Sequence, residues 1–342
     1  MRKNTLKFSI VSIIVALVLV STTLVGCGKP KVTTLKTVRL NEVVRSVFYA
    51  PMYAAISEGF FKEEGIKIDL STGQGADKTM QQVLSNSADI GFCGPEQVLY
   101  IYNQKRDDYP VLFAQLTQRD GSFLVSRKDE KNFTWESLRG KSILGARPGG
   151  VPEMALEYVL KNHGIIPGKD VNMITNVAYT ATAGAFAAGT GDYVALFEPN
   201  ASTLVKETGA YIVSSIGKSA GVIPYTCFFS TKSYMAKNAD TLDKFTSAIY
   251  KGQLWINTKT NEEIANSIKS FFPGTDVTLI AQVIKNYKDI QAFSPNPTFK
   301  EADMTRLMDI IQSYKSDLLL ERPAFNKVVN NTFADNAVKT VK

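Results

Sequence analysis

Two acidic residues each follow a short apolar run that is typical of a buried strand. Glu96 follows residues 89–92, and Glu198 follows residues 193–197. A carboxylate at the end of a strand can accept a hydrogen bond from an amino group, such as that of an aminopyrimidine. Both residues are therefore candidate ligand contacts. The alternative for Glu96 is a helix cap, which a first-turn glutamate favours, and the alternative for Glu198 is a hinge or surface acid paired with Arg or Lys.

Two glycine-containing loops follow other predicted strands. Residues 147–152 read Arg-Pro-Gly-Gly-Val-Pro, and residues 72–77 read Thr-Gly-Gln-Gly-Ala-Asp. Glycines let the backbone approach a ligand, and free N–H groups at a helix start favour an anion or a carbonyl. A glycine turn without a ligand is the alternative for both loops. The candidate contacts from these loops are Arg147, Gly149, Gly150, Gln74 and Gly75.

Aromatic side chains near predicted strand ends are suited to stacking on a flat heterocycle. The candidates are Tyr49, Tyr53, Tyr179 and Tyr225, with Cys93 beside Glu96. Core packing is the alternative for each tyrosine. Arg45 and Arg119 have the planar fork that holds an anion, although Arg119-Asp120 is also typical of a surface turn. Tyrosines with carboxylates favour a nitrogen heterocycle over an anion as the ligand.

Residues able to do covalent chemistry are few. Residues 217–221 match the G-x-S-x-G pattern, but that mechanism needs a histidine after Ser219, and the single histidine is His163. There is no CxxC motif and no second histidine for a zinc site. Cys93 and Cys227 could pair in an oxidising compartment. The sequence therefore predicts no catalytic residue, no metal site and no cofactor.

The elements that must position these residues alternate between β-rich runs and helical segments, which predicts an α/β fold. Residues 51–64 are predicted as one helix, and the chain beyond Tyr225 as mostly helical. A second series of strands and helices begins after residue 140 and resembles the first. Two similar lobes would leave a cleft between them, and ligands in such sheets bind outside the carboxyl ends of the strands.

The first 26 residues have the pattern of a secretory signal. Three basic residues precede an apolar run that is too short for a comfortable membrane span. Residues 24–27 read Leu-Val-Gly-Cys, which resembles the bacterial lipobox; this resemblance implies cleavage before Cys27 and a lipid on its thiol. A plain signal peptide or a membrane helix is the alternative. We expect residues 27–36 to form a tether, with the protein at the cell membrane, facing the extracellular side or periplasm.

The composition excludes some partners. Hydrophobic residues make up 44% and charged residues 21%, which is ordinary for a globular protein. The net charge of +7 includes the basic signal segment, and no dense Lys/Arg stripe with interleaved aromatics is present. Nucleic acid is therefore not an expected partner. The basic C-terminal segment, residues 321–342, is predicted as a solvated tail.

Several stretches together resemble one protein family. Residues 48–66 resemble the start of the solute-binding proteins of ABC importers, specifically the NMT1/THI5-like group. This group contains binders of nitrate, taurine and sulfonates, and also binders of thiamine-pyrimidine precursors and riboflavin. Residues 87–92, 138–143 and 187–199 support this resemblance, which covers about residues 37–320. It implies a type II periplasmic-binding-protein fold with a ligand cleft between two lobes. The implied lobe 1 comprises residues 37–126 and 226–320, and lobe 2 comprises residues 127–225.

The resemblance also implies a function. The protein would capture a small solute by hinge closure and deliver it as a monomer to a membrane permease, without chemistry. The predicted solute is a nitrogen heterocycle such as a thiamine pyrimidine precursor or riboflavin, and the alternative is a nitrate-, sulfonate- or taurine-type anion. Fungal thiamine-pyrimidine synthases share this fold and consume an active-site histidine. That enzyme alternative is disfavoured because His163 lies outside the predicted cleft loops.

Overall fold

The computed structural model describes residues 35–342, except for the side chain of Tyr179. The predicted signal segment, the predicted lipid attachment site Cys27 and the first part of the predicted tether therefore lie outside the described residues. The first strand begins at Lys36, inside the predicted tether. Among the described residues, no helix is long and apolar enough to cross a membrane.

In the described part of the chain, ten strands form two five-stranded mixed sheets. The strands are β1 (Lys36–Glu42), β2 (Ile66–Thr72), β3 (Ile90–Cys93), β4 (Pro110–Gln115), β5 (Ser122–Ser126), β6 (Ser142–Leu144), β7 (Asn172–Ile174), β8 (Tyr193–Phe197), β9 (Tyr211–Ser215) and β10 (Cys227–Thr231). The first sheet has the order β2-β1-β3-β10-β4 and the second the order β7-β6-β8-β5-β9. In each sheet one strand, β10 or β5, runs antiparallel to its neighbours. We call the first sheet with its helices lobe 1 and the second sheet with its helices lobe 2.

Helices connect and cover the strands. They are α1 (Ala50–Ser57), α2 (Phe60–Glu63), α3 (Ala76–Leu84), α4 (Glu96–Asn103), α5 (Val151–Asn162), α6 (Thr182–Ala187), α7 (Asn200–Thr208), α8 (Ile216–Ala220), α9 (Lys232–Lys237), α10 (Ala239–Thr258), α11 (Asn261–Ile268), α12 (Val277–Asp289), α13 (Glu301–Tyr314), α14 (Phe325–Val328) and α15 (Thr332–Thr340). Short 3₁₀ helices add single turns, among them Val47–Tyr49 before α1. Strands such as β3 and β4 are buried throughout, which fits sheets covered by helices on both faces.

Two neighbouring segments carry the chain between the lobes, and we call them the hinge: residues 116–121 and 221–226. Backbone hydrogen bonds join them, from Leu116 to Thr226 at 3.1 Å and from Tyr225 to Thr117 at 3.0 Å. A third segment runs beside the first, because the backbone N–H of Gln118 donates to Ala292 at 2.8 Å. Three adjacent backbone segments, joined by hydrogen bonds, therefore form the junction of the lobes.

Two expectations about the elements are corrected. The helix predicted over residues 51–64 is two helices, because Gly59 adopts a left-handed backbone with φ 83° that an α-helix cannot contain. The region after Tyr225 is mostly helical as predicted, and it also contains β10, which completes the first sheet between β3 and β4. Residues 321–342 do not form a solvated tail: α15 buries Phe333 and Ala337 and packs on α10.

Gly217 permits a close contact between α8 and the hinge. A Cβ on Gly217 would overlap the backbone oxygen of Asp120, which a main chain cannot avoid by changing rotamer. We expect Gly217→Ala to destabilise the protein by about 2 kcal/mol or more, measured by urea unfolding. The control is Gly184→Ala in α6, where no described atom lies within 4 Å of the new methyl group. A Gly217→Ala protein as stable as the control would contradict this account of the contact.

Candidate functional site

The parallel strands of both sheets end where the lobes meet. The chain leaves β4 at Gln115 and enters β5 at Ser122, so the carboxyl end of β4 points towards lobe 2. Ser122 lies opposite Phe197, the last residue of β8, so the carboxyl end of β8 points towards lobe 1. Ligands in open α/β sheets bind outside these ends. The candidate site therefore lies between the two sheet edges, next to the hinge.

Glu96 is a buried carboxylate at this edge. It is the first residue of α4, directly after β3, and is 3% exposed. Its Oε1 accepts a hydrogen bond from Nε2 of Gln97 at 3.3 Å, whereas Oε2 is buried and has no hydrogen-bond partner among the described residues. Leaving a buried acceptor unpaired is costly in free energy. Oε2 is therefore an open acceptor that a ligand N–H group could satisfy.

The surroundings of Glu96 do not neutralise its charge. Burial raises the pKa of Glu96 to about 7, opposed by its hydrogen bonds to Gln97 and to its own backbone, and no basic side chain contributes. Glu96 itself contributes to the raised pKa values of four neighbouring groups, after burial as the main cause: Cys93, Tyr100, Tyr225 and Cys227. These neighbours are thiols and phenols, so the cleft around Glu96 holds acidic and neutral groups.

Asp120 is a second buried carboxylate, and the prediction of a surface turn there was wrong. Asp120 is fully buried in the hinge, and its Oδ1 accepts hydrogen bonds from the backbone N–H of Ser122 at 2.8 Å and from the Ser122 hydroxyl. Burial raises its pKa to about 6, opposed by hydrogen bonds from Ser122 and Tyr225. The sequence Asp-Gly-Ser at residues 120–122 is typical of an Asx turn. This local signal indicates the hydrogen bond from Ser122 to Asp120, but not the burial of Asp120. Asp120 and Glu96 both lie close enough to Tyr225 to raise its pKa, after burial as the main cause.

Aromatic rings from both lobes surround this edge. Tyr49 packs edge-on against Phe92 with 4.7 Å between ring centroids, and Tyr225 packs edge-on against Phe48 at 5.7 Å. Phe197 of lobe 2 lies 6.0 Å from Phe48 of lobe 1. Edge-to-face pairs at these distances are favourable. Of the predicted residues, the structure thus brings together Tyr49, Cys93, Glu96 and Tyr225.

The predicted loop of lobe 2 meets lobe 1 at the outer part of the cleft. An Arg147 guanidinium nitrogen lies 3.2 Å from Asp77 Oδ1 of α3, and the Tyr100 hydroxyl of α4 donates to the Gly149 carbonyl at 3.3 Å. The Arg147 side chain is 72% exposed. Tyr100 lies one helical turn after Glu96, so both occupy one face of α4. Arg147 therefore lies at the exposed, outer part of the cleft, and not at the buried sheet edge where Glu96 lies.

The ion pair between Asp77 and Arg147 joins the two lobes. Because both side chains are largely exposed, we expect Arg147→Ala to shift the open–closed equilibrium by less than about fivefold, and high salt to reduce the effect. The measurement is the distance between spin labels on the two lobes. The charge-swapped pair Asp77→Arg with Arg147→Asp should restore the equilibrium, whereas Lys67→Ala, an exposed residue of β2, should not change it. A charge swap that behaves like the single variant would refute the pairing.

Glu198 and Tyr53 are engaged within the protein. Glu198 Oε2 accepts from the backbone N–H of Ser202 at 2.9 Å, and Oε1 accepts from Nδ2 of Asn286 at 2.5 Å, which ties lobe 2 to α12. The Tyr53 hydroxyl donates to Glu42 at 2.5 Å, and its ring is fully buried. Ligand contact by either residue stays a prediction, but this geometry favours structural roles for both.

The remaining predicted residues occupy the loops at the mouth. Gln74 is exposed, and its backbone has a φ of 58°, which is uncommon for a residue with a side chain. The N–H of Gly75 donates to the Val43 carbonyl at 3.1 Å, and Gly150 is the N-cap of α5. The side chain of Tyr179 lies outside the described part of the chain. Contacts of these residues with a ligand stay predictions.

Glu153 was not predicted from the sequence. It lies in the first turn of α5, where its Oε2 accepts from the Ala146 N–H at 2.7 Å, while Oε1 is buried without a partner in the described chain. Burial raises its pKa to about 7. Its visible role is to hold the loop that carries Arg147 and Gly149. No sequence signal separated it from an ordinary first-turn glutamate.

The two cysteines and the histidine do not form a reactive centre. Cys93 and Cys227 lie opposite each other in the β3–β10 pair, but both are free thiols, and burial raises their pKa values well above the ordinary value. Buried thiols of this kind are unreactive. His163 follows α5, whose 12 residues separate it from the cleft loop by about 18 Å, and its Nδ1 lies 2.7 Å from Glu136.

Comparisons with known proteins agree with this architecture. Residues 47–262 match the family model described as NMT1/THI5 like. The "Putative binding protein YtlA" of Bacillus subtilis (strain 168) is 45% identical over 302 residues, which cover 88% of this chain and 90% of that protein.

Two solved structures are similar in fold. The periplasmic aliphatic sulphonate binding protein SsuA from Escherichia coli has a TM-score of 0.70 at 14% identity, covering 86% of this chain and 97% of that one. The periplasmic nitrate-binding protein NrtA from Synechocystis PCC 6803 has a TM-score of 0.67 at 14% identity, covering 90% and 89%. These similarities confirm the predicted α/β fold of two lobes, of the type II periplasmic-binding-protein kind.

Proposed function

This chain belongs to the NMT1/THI5-like family, and we propose that it is the receptor of an importer. We propose further that its solute is an amino-substituted nitrogen heterocycle. The coarser function follows from its relatives: it is a solute-binding protein of the ABC-importer type and not an enzyme. Such a protein acts by shifting population between open and closed lobes. The identity of the solute is the part that rests on the site.

The unpaired, buried carboxyl group of Glu96 is the single observation on which the proposed solute class rests. Within residues 35–342 its buried Oε2 lacks a partner, and no basic side chain contributes to its pKa. An amino group or a ring N–H would satisfy this oxygen. The neighbouring rings of Tyr49 and Tyr225 suit a flat heterocycle. A thiamine pyrimidine precursor combines both features, whereas riboflavin has no amino group and would offer only a ring N–H.

An anionic solute is the second candidate, and one observation favours it. Nε of Arg119 in the hinge is buried without a hydrogen-bond partner in the described chain. The charged neighbours of Arg119 are Arg306 and Asp303 of α13, however, whereas those of Tyr225 are Asp120 and Glu96. A sulfonate or nitrate next to Glu96 would find no basic side chain to balance its charge, and burying an unpaired charge is costly. We therefore place the anion second.

The test is a thermal-shift panel on residues 28–342. Hydroxymethyl-aminopyrimidine, formyl-aminopyrimidine, thiamine and riboflavin form one arm, and taurine, alkanesulfonates and nitrate form the other. A ligand at about 1,000 times its dissociation constant adds about 4 kcal/mol to stability. We expect a shift in the first arm only. A shift confined to the second arm would reject the heterocycle and assign Arg119 and Arg147 as the residues to mutate.

The remaining partners are part of the same proposal. Delivery to a membrane permease follows from the importer type, and a lipid anchor at Cys27 would keep the receptor at the outer side of the membrane. A monomer suffices for this role, because both sheet edges that border the candidate site belong to the same chain. Mass spectrometry of the mature N-terminus tests the anchor: an acylated Cys27 is the expected result, and an unmodified N-terminus elsewhere would reject it.

A further inference from the structure

The cleft around Glu96 contains a carboxyl group but no cation to balance it. Glu96 is 3% exposed, its Oε2 has no side-chain or geometric hydrogen-bond partner in the described chain, and Gln97 donates to its Oε1. An ionised carboxylate in such a place is costly, and a protein relieves this cost by pairing the charge or by keeping the proton. The described residues supply no cation to pair with Glu96, so the ligand-free site favours the protonated carboxyl group.

The groups that face Glu96 come from every surrounding element. Strand β3 supplies Cys93, β10 supplies Cys227, the hinge supplies Tyr225, and α4 itself supplies Tyr100. Burial raises the pKa values of all four, so they stay neutral at physiological pH.

The charged residues on the other elements packed against α4 are engaged elsewhere or exposed. Asp77 of α3 forms its ion pair with Arg147, and Lys78 of α3 and Lys327 of α14 are exposed to solvent. Strand β4 carries no titratable side chain. A positive charge beside Glu96 must therefore come from outside the described chain.

We propose that Glu96 holds a proton in the ligand-free cleft and shares that proton with a basic ring nitrogen of the bound solute. This inference rests on the proposed nitrogen heterocycle. In the step, the Oε2–H bond of Glu96 breaks and an N–H bond to the ring nitrogen forms, so that a carboxylate–heterocyclium pair replaces two neutral groups. No other reactant is needed. The pair is a charge-assisted hydrogen bond, which is about twice as strong as a neutral one.

This arrangement sets the direction of the pH dependence. The complex contains one proton between Glu96 and the solute. Below a pH of about 7 the free protein already carries that proton, so a neutral heterocycle binds without proton exchange. Above this pH the free carboxylate is ionised, and binding must take up one proton from solution. Affinity should therefore fall about tenfold per pH unit above this point.

The experiment uses hydroxymethyl-aminopyrimidine as the probe. Isothermal titration at pH 6 and pH 8, in buffers of different ionisation enthalpy, should show uptake of about one proton at pH 8. At pH 6, where Glu96 and part of the free pyrimidine already carry protons, it should show no uptake or a partial release. The matched control ligand is the aniline analogue, in which carbon replaces both ring nitrogens. It should bind more weakly and take up no proton. Binding of the pyrimidine with equal affinity and no proton uptake at both values of pH would overturn the inference.

A second measurement concerns the ligand-free protein. Infrared spectra at pH 6 should contain a carboxylic-acid carbonyl band that Glu96→Gln removes and Glu153→Gln leaves in place. Absence of a Glu96 band would overturn the inference, whatever binds. If the pyrimidine does not bind at any pH, the proposed solute class fails and the proton-sharing step with it. That result is distinct from pH-independent binding, which rejects the shared proton and leaves the solute class intact.

Discussion

Glu96→Gln is expected to lower the affinity for an aminopyrimidine by about 100-fold. The amide keeps the shape of the side chain but cannot form a charged pair, and losing one partner of a buried charged hydrogen bond costs about 2–5 kcal/mol. Titration calorimetry at pH 7 provides the measurement. Glu63→Gln is the control, because Glu63 is 57% exposed on α2, at the surface of lobe 1. Equal affinities of the wild type and Glu96→Gln would remove Glu96 from the site.

The same variant should change the pH dependence of stability. The folded-state pKa of Glu96 is about 7 and its ordinary value is 4.5, so the folded protein binds this proton more tightly than the unfolded chain. The stability that the proton contributes is present below pH 4.5 and is lost as the pH rises to about 7. Gln does not titrate. Relative to the wild type, Glu96→Gln should therefore gain about 3 kcal/mol between pH 4.5 and pH 8, measured by urea unfolding.

Phe228→Ala is expected to destabilise lobe 1 by about 4 kcal/mol. Phe228 is fully buried in β10, stacks on Phe92 at 4.4 Å and packs edge-on against Phe245 at 5.1 Å. Removing a buried phenyl ring loses transfer free energy and leaves a cavity, at a cost of about 3–5 kcal/mol. The measurement is urea unfolding with fluorescence detection, fitted with separate transitions if the lobes unfold independently.

The control for this prediction is Leu320→Ala. The Leu320 side chain is 82% exposed, so its truncation should change stability by less than about 0.5 kcal/mol. A loss below about 1 kcal/mol for Phe228→Ala would mean that β10 is not the packed centre of the first sheet. That result would also question the register that places Cys227 opposite Cys93.

Local sequence signals were sufficient for most elements of the fold. Alternation of strands and helices acts over a few residues, so it can be recognised without knowing the neighbours in space. The second series of strands and helices after residue 140 likewise predicted two similar lobes. The helix over residues 51–64 was wrong because one left-handed glycine, Gly59, interrupts it.

Elements completed by distant partners were not predictable in this way. Strand β10 has only three apolar residues, followed by Ser230 and Thr231. It forms between β3 and β4, which lie more than 100 residues earlier in the chain. Helix α15 is held by burial of Phe333 against lobe 1. A short apolar run cannot by itself distinguish a strand from part of a helix.

For the site, residue type and position in the chain determined that Glu96 stands at the carboxyl end of a strand, where ligands bind. Only the tertiary structure decided its chemistry. Packing of β3, β10 and the hinge buries Glu96 without a cation and leaves Oε2 unpaired, whereas the equivalent Glu198 receives Ser202 and Asn286. Asp120 moved from a predicted surface turn to the buried hinge for the same reason. Charge and hydrogen-bonding capacity belong to the residue, but desolvation and partners depend on which distant segments meet it.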